Sequence, residues 1–274
     1  MDIIVDNIDI ESILFSGACF RAVKENDGSI TNILKDRVIN LKQDGNIIHI
    51  KSSNYDDLEN IIKEYFDLNR DYNKINEYLI KKDPSIKNMV NKCSKYRILN
   101  QDPFEMCISY IISQNNNVKR ISKSIDELCH DYGEKIVFEG KEYYLFPNYE
   151  DLKELSESDY RKYGVGFRDK YLKDFIEKYE VMDDINKLNT EDAIEVLMSV
   201  KGIGLKVASC ILLFGYKRLD VFPIDTWVKQ YMSSTYNIEP DIKKIEKYAH
   251  EKYGEYSGLV IQYMFHSQRN NKDD

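Results

Sequence analysis

The chain has 274 residues, of which 42% are hydrophobic and 31% charged, and its formal net charge is −8 at pH 7. This length is enough for one large domain or two smaller ones, and the low Pro and Gly content excludes a low-complexity chain. No apolar run approaches the ~18 residues of a membrane span. Five irregularly spaced cysteines are typical of a reduced protein, which excludes a disulfide-rich secreted class.

The first residues lack the basic start and long apolar core of a secretory signal, so we expect a cytoplasmic protein, nucleoid-associated if prokaryotic. The cysteines and histidines have no zinc-site spacing, so no metal site is predicted. Most of the acidic excess lies in the middle third, whereas basic groups outnumber acidic ones over 197–231. A small basic surface on an acidic body is compatible with contacts to few phosphates, and it disfavours a protein that coats nucleic acid.

The first third of the chain predicts an antiparallel sheet. Segments 19–24, 31–41 and 47–51 have strand character, and Asp-Gly turns separate them. Gly17 precedes the first strand, and its spacing alone favours a turn glycine. Helical periodicity begins near residue 55, and three short helices follow. These elements predict a first domain over 1–98 and a mostly helical domain over 99–274.

Asp102-Pro103 begins a predicted helix, because proline is favoured at the first helical position. That helix runs into three consecutive asparagines, residues 115–117, and Arg120 follows them in a second helix. Asparagine disfavours helix interiors and offers both donor and acceptor groups. A loop with an N-cap explains Asn117 but not all three residues, so the segment is also interpreted as a polar finger that enters a base stack.

Two further segments precede the most informative one. A small hairpin is predicted over 136–146, around Glu139-Gly140. A Gly-Val-Gly turn then leads through Phe167 and Arg168 into a helix from Asp169. The turn is too short for a nucleotide-binding fingerprint, and no strand precedes it.

Segment 197–230 predicts a helix, a tight hairpin, a second helix, a short loop and a third helix. The hairpin is Gly202-Ile203-Gly204, whose glycines permit positive φ while the isoleucine turns inward. Bare amides at the start of the second helix form a ready site for a phosphate. Lys206 in its first turn is unusual, because the positive helix end disfavours a cation.

Asp225 follows a proline and stands where it can N-cap the third helix. A lysine and an aspartate thus each occupy a helix start, and a short loop joins the two helices. A plain helical hairpin, with Lys206 solvated and Asp225 only a cap, is the structural alternative.

The hairpin, the lysine and the Pro-x-Asp loop resemble the base-excision DNA glycosylases of the helix-hairpin-helix superfamily, in which such a lysine marks members that also cleave the strand. Segment 101–121 is similar to the 8-oxoguanine DNA glycosylase/AP lyase family. The resemblance implies an α+β fold, in which a helical glycosylase domain follows an N-terminal antiparallel sheet. It also implies excision of 8-oxoguanine through a Schiff base at Lys206, with Asp225 stabilising charge and Gly202 and Gly204 binding a phosphate.

The resemblance assigns the DNA-facing residues as well. Asn115 would fill the gap left by the flipped base and, with Arg120, hold the partner base. Phe167 would be the wedge and Arg168 a second contact to the partner base, although the family more often has tyrosine as the wedge. A core position for Phe167 is the alternative.

The base pocket is implied to contain Gly17, whose carbonyl would accept from N7 of the lesion, with Cys210 and Phe265 on the two faces of the base. The family's base-reading glutamine falls on Ile261, whereas this chain has Gln262 one residue later. Because one residue is about 100° on a helix, either Gln262 reaches the base by a local adjustment or the pocket reads the base differently.

The expected partner is double-stranded DNA containing 8-oxoguanine. The protein is expected to be a monomer and not to bind a membrane. No cofactor is required, although the family often has a monovalent cation at the hairpin carbonyls. An iron–sulfur cluster is excluded, because no cysteine follows Asp225. Two other functions stay open: a monofunctional alkylbase glycosylase, and a non-catalytic helix-hairpin-helix module that binds DNA.

Overall fold

The computed structural model, which describes residues 1–180, 182 and 184–270, has the antiparallel sheet that the first third of the sequence predicts. Its strands are β1 (Asp2–Ile4), β2 (Val23–Lys24), β3 (Ile30–Leu34), β4 (Arg37–Asp44) and β5 (Ile47–Ser52). Their order across the sheet is β1-β5-β4-β3-β2, and every pairing is antiparallel.

The sequence located the turns of this sheet better than its strand ends. The predicted turns carry Gly28 at φ 81° and Gly45 at φ 59°. The single strand predicted over 31–41 is wrong, because the chain turns at Lys35, with φ 28°, and forms two paired strands. Segment 19–24 is strand only at its last two residues, and β1 was not predicted.

Helices dominate the rest of the chain, which confirms the predicted α+β class. The predicted small hairpin is present as β6 and β7. In chain order the elements are α1 (Ile10–Leu14), α2 (Leu58–Tyr65), α3 (Tyr72–Lys82), α4 (Lys87–Lys92), α5 (Pro103–Ser113), α6 (Val118–Tyr132), β6 (Lys135–Phe138), β7 (Lys141–Tyr144), α7 (Tyr149–Leu152), α8 (Glu157–Arg161), α9 (Asp169–Tyr179), α10 (Thr190–Met198), α11 (Leu205–Gly215), α12 (Thr226–Tyr236), α13 (Ile242–Tyr253) and α14 (Ser257–Asn270).

Helices α5 and α11 pack together at the centre of the helical part. Both are buried on nearly every side, so their sequences are almost continuously apolar. Asp102 caps α5 by accepting from the amides of Phe104 at 3.0 Å and Glu105 at 3.1 Å. Tyr110 of α5 stacks on Phe214 of α11, with ring centroids 5.9 Å apart and planes 8° from parallel. This stacking holds the last turn of α11 against α5.

The helices before residue 98 share a core with the last two helices. The Tyr263 hydroxyl of α14 donates to Asn76 of α3 at 2.9 Å, and the Cys93 thiol contacts the Tyr263 carbonyl at 3.6 Å. The predicted boundary between 1–98 and 99–274 stays a prediction, and residues 271–274 lie outside the described residues. Across the described ranges, no helix combines the length and apolar character needed to span a membrane.

Candidate active site

The turn between α10 and α11 is built around Gly202. Its φ is 84°, in the left-handed region that favours glycine. A Cβ on Gly202 would lie 2.3 Å from Cδ2 of Tyr171, so no side chain fits there without movement. Ile203 is only 4% exposed, as the inward turn predicted.

Gly204 has a different role from Gly202. Its φ is −100°, which any residue adopts, and a Cβ there would meet nothing within 4 Å. It is the exposed N-cap of α11 and has no side chain with which to cap that helix. The turn therefore requires glycine only at position 202, while Gly204 leaves the first amides of α11 open to an approaching anion.

Lys206 is half-buried in the first turn of α11. Its ammonium lies 5.8 Å from the ring centroid of Tyr110, within cation–π range. Cys210 follows one helical turn later and is buried. Burial raises the pKa of the Cys210 thiol, Lys206 opposes that rise through its charge and a hydrogen bond, and Asp225 adds to it. Lysine, cysteine and aspartate therefore share one electrostatic environment.

Asp225 caps α12, as the sequence predicted. Its Oδ1 accepts from the amide of Val228 at 2.8 Å. The side chain is half-buried, and among the described residues Oδ2 makes no hydrogen bond. One carboxylate oxygen therefore fixes the orientation of the group while the other can face a positive charge.

Phe265 of α14 packs against Trp227, two residues after Asp225. The ring centroids are 4.5 Å apart, and Trp227 in turn stacks on Tyr231 at 5.1 Å. Trp227 was not among the predicted site residues, although this residue is the only tryptophan of the chain and follows Asp225 by two residues. Phe265 thus packs against a row of aromatic rings formed by Trp227 and Tyr231.

The structure shows which way the two candidate residues of α14 face. Ile261 is 0% exposed and belongs to the core, whereas Gln262 is half-buried. Gln262 and Phe265 are three residues apart and share a helix face. Ile261, four residues before Phe265, also lies near that face, but only Gln262 is partly exposed and able to form hydrogen bonds.

Gly17 has φ 92°, so the loop needs glycine for backbone reasons whatever its other role. Gln101, which was not singled out by the sequence analysis, donates to the carbonyl of the next residue, Ala18, at 3.0 Å. The main-chain N–H of Gln101 donates to the Phe214 carbonyl at 2.8 Å. Gln101 thus ties the Gly17 loop to the end of α11, and only its place in an Asp-Pro helix start could have drawn attention to it.

The three asparagines divide between structure and surface. Asn116 donates to the Ile112 carbonyl at 3.1 Å, and Asn117 caps α6 by accepting from the Arg120 amide at 3.1 Å. Asn115 is exposed at φ 47°, and its side chain makes no hydrogen bond to any described residue. The polar finger of the sequence analysis therefore reduces to Asn115, with the Arg120 side chain exposed one turn later.

Phe167 and Arg168 lie next to this finger. Phe167 is 48% exposed, which a wedge requires and a core residue would not show. Arg168 is only 6% exposed, and its guanidinium donates to the carbonyls of Gln114 and of Asn115, the latter at 3.0 Å. In this arrangement Arg168 supports the finger, and its contact with a partner base stays a prediction.

The remaining charges of this surface do not form a metal site. Within the described part of the chain, no group of three or more His, Cys, Asp or Glu side chains is placed to hold a metal ion. The functional side chains collected around Lys206 are therefore an amine, a thiol, a carboxylate and aromatic rings.

An added methyl group should affect stability differently at the two hairpin glycines. Gly202→Ala should lower the free energy of unfolding by about 1–3 kcal/mol, because the backbone is left-handed and Tyr171 occupies the space. Gly204→Ala should lower it by less than about 1 kcal/mol, because nothing crowds the methyl group and only the weaker N-cap preference of alanine acts. Urea unfolding of the two variants measures the difference, and equal losses would contradict the assigned roles.

Two families of base-excision proteins together match most of the chain. Residues 2–107 match the 8-oxoguanine DNA glycosylase N-terminal domain, and residues 108–255 match the HhH-GPD superfamily base excision DNA repair protein. A probable N-glycosylase/DNA lyase of Methanothermobacter thermautotrophicus is 31% identical over 62% of each chain. The N-glycosylase/DNA lyase OGG1 of Arabidopsis thaliana is 31% identical over 68% of this chain and 55% of its own length. The matches thus span less than two thirds of these curated relatives.

Solved structures match more completely. The Clostridium acetobutylicum 8-oxoguanine glycosylase/lyase, in complex with double-stranded DNA containing cytosine opposite 8-oxoguanine, is 38% identical, with a TM-score of 0.90 over 97% of this chain and 93% of that one. A complex of MBOgg1 with a low-affinity DNA ligand is 35% identical, with a TM-score of 0.93 over 99% and 96%. A 3-methyladenine DNA-glycosylase from Archaeoglobus fulgidus, at 19% identity, shares the fold. The chain therefore belongs to the 8-oxoguanine DNA glycosylase family of the HhH-GPD superfamily.

Proposed function

We propose that the protein excises 8-oxoguanine from double-stranded DNA and then nicks the strand at the resulting site. The observation that carries this proposal is the position of Lys206 at the open start of α11, beside Cys210, whose thiol also senses the charge of the Asp225 carboxylate. A monofunctional glycosylase needs no amine there, and a module that only binds DNA needs neither the amine nor the carboxylate.

The lesion must first leave the duplex, because C1′ of its sugar is otherwise out of reach. Unstacking costs a few kcal/mol. The exposed Asn115 would offset part of that cost by entering the gap, and Phe167 would stack on the neighbouring bases. Arg120 would donate to the acceptor edge of the unpaired cytosine.

Lys206 would then act as the nucleophile, after losing a proton. Its Nζ lone pair forms a bond to C1′ while the bond from C1′ to the base breaks, and the base leaves with the electron pair of the broken bond. Opening of the bond from C1′ to the ring oxygen gives an imine between Nζ and C1′. Loss of a proton from C2′ then expels the 3′ phosphate, which nicks the strand by β-elimination.

Asp225 would stabilise the positive charge that develops on the sugar as the base departs. A carboxylate already oriented by its bond to the Val228 amide needs no reorganisation at that moment. Its other oxygen is available to move the protons of the later steps. The reaction thus needs no cofactor, and a monovalent cation at the hairpin stays a prediction.

Discrimination from guanine would rest on N7, which bears a hydrogen only in the oxidised base. A carbonyl at Gly17 attracts that hydrogen and repels the lone pair of guanine, a difference of about 1–3 kcal/mol in a dry pocket. Phe265 and Cys210 would enclose the base, and Gln262 would donate or accept at its edge. The protein would act on cellular DNA as a monomer, in the cytoplasm.

The first test removes the nucleophile. Lys206→Gln should abolish borohydride trapping on DNA containing 8-oxoguanine, while binding to the same duplex persists. Lys243→Gln is the control, because it removes an exposed lysine of α13 and should leave trapping intact. Trapping that persists in Lys206→Gln would show that another amine attacks the sugar.

The second test separates the two roles of Asp225. Asp225→Asn should lower single-turnover excision by about two orders of magnitude, because the lost charge faced a developing cation. Unfolding should change little, since asparagine caps a helix about as well as aspartate. Asp241→Asn, at the cap of α13, is the control and should keep full activity. Near-normal excision in Asp225→Asn would reduce the residue to a cap.

The third test concerns the Gly17 carbonyl. Gly17→Ala should weaken excision of 8-oxoguanine far more than cleavage at a preformed abasic site, because only the first step reads N7. Gly28→Ala adds a methyl group at a similar φ of 81° in a β-turn and controls for backbone strain. Equal loss of both activities in Gly17→Ala would leave Gly17 a turn residue, with Gln262 the next candidate.

A further inference from the structure

Helix α9 touches three separate parts of the surface assigned to DNA. At its start lie Phe167, the exposed wedge, and Arg168, whose guanidinium holds the Gln114 and Asn115 carbonyls. The finger and the wedge are therefore attached to one helix end. The same helix reaches the hairpin through two residues that the sequence analysis did not single out, Tyr171 and Asp174.

Tyr171 lies directly against the hairpin turn. A Cβ built on Gly202 would be 2.3 Å from Cδ2 and 2.5 Å from Cγ of the ring, so the ring covers the face of that glycine. The same ring meets Phe167 edge-on, with centroids 5.9 Å apart and planes at 77°. One half-buried tyrosine thus contacts both the turn and the wedge.

Asp174 holds the turn from the next helical turn of α9. Its Oδ2 accepts from the Lys201 amide at 2.6 Å and from Lys178 Nζ at 2.8 Å. Lys178 Nζ also donates to the Ser199 carbonyl at 2.7 Å. Burial opposes ionisation of Asp174, but these donors outweigh it and lower its pKa. The Lys201 amide and the Ser199 carbonyl thus have hydrogen-bond partners on α9.

We propose that Tyr171 and Asp174 are positioning residues that hold the phosphate-binding hairpin at a fixed place relative to the wedge and the finger. We assign neither residue a contact with the base or the sugar. They act through Gly202 and Lys201, which precede the open amides of α11 and the nucleophile Lys206. This inference rests on the proposed function, because it assumes that those amides bind a phosphate of the lesion strand.

The reason for holding the hairpin in a fixed place is geometric. Attack on C1′ requires that the phosphate, the flipped sugar and Lys206 keep their relative positions to within a fraction of an ångström. A hairpin that moved independently of the wedge would bind phosphate without presenting the sugar to the amine. A shared rigid helix removes that freedom without adding a contact to the substrate.

The test compares three tyrosine variants of α9. Tyr171→Leu removes the flat ring over Gly202, Tyr171→Phe keeps it, and Tyr179→Leu makes the same change at the end of the helix, against Phe104 and Tyr149. For each, the affinity for a duplex with a tetrahydrofuran abasic analogue is measured at one fixed salt concentration, with thermal unfolding alongside. Losing hydrogen bonds from main-chain amides to a charged phosphate weakens that affinity.

Tyr171→Leu should weaken binding about tenfold, while Tyr171→Phe and Tyr179→Leu match the wild type. A folded Tyr171→Leu protein with unchanged affinity would overturn the proposal. Should that variant not fold, Asp174→Ala, which acts on the same turn through Lys201, must show the weakened binding, and an unchanged affinity there would also overturn the proposal.

Failure of the proposed function gives a different result. The wild type would then form no borohydride adduct on 8-oxoguanine duplexes, whatever the affinities of the variants. A wild type that is trapped normally, together with a folded Tyr171→Leu variant of unchanged affinity, would contradict only the positioning role of Tyr171 and Asp174.

Discussion

The left-handed backbone at Gly202 is the constraint on which the site depends, because it fixes where helix α11 begins. Lys206 occupies the first turn of that helix, and Cys210 follows four residues later on the same face. A start displaced by one residue would rotate both side chains by about 100°. The buried Ile203 and the ring of Tyr171 hold the turn from two sides, so the position of the amine follows from packing beneath it.

Helix caps supply much of the remaining geometry. One oxygen of Asp225 accepts from the Val228 amide, so the hydrogen bond that starts α12 also fixes the orientation of a carboxylate. Asn116 and Asn117 end one helix and begin the next, which leaves Asn115 at the tip with an exposed side chain. Local side-chain bonds that any helix end requires have thus placed the groups that the proposed chemistry uses.

The sequence predicted what depends on local pattern, namely the fold class, the hairpin, the two caps and the exposed asparagine. It missed what depends on contacts between distant segments. Segment 31–41 contains no Gly or Pro to mark a turn, so the split of one strand into two was not predicted, although the charged residues 35–37 interrupt its apolar residues. The contact of Gln101 with the Gly17 loop, and that of Tyr171 with Gly202, join residues far apart in the chain. The helix phase that buries Ile261 and presents Gln262 is likewise set by packing.

Formation of a covalent bond between Lys206 and the sugar is the central step of the proposed reaction. Borohydride reduction of the wild-type protein on a duplex with 8-oxoguanine opposite cytosine, followed by proteolysis and mass spectrometry of the adduct, tests it most directly. We expect the sugar fragment on the peptide that contains Lys206. An adduct on another lysine or on the N-terminal amine, or no adduct while the base is still released, would contradict it.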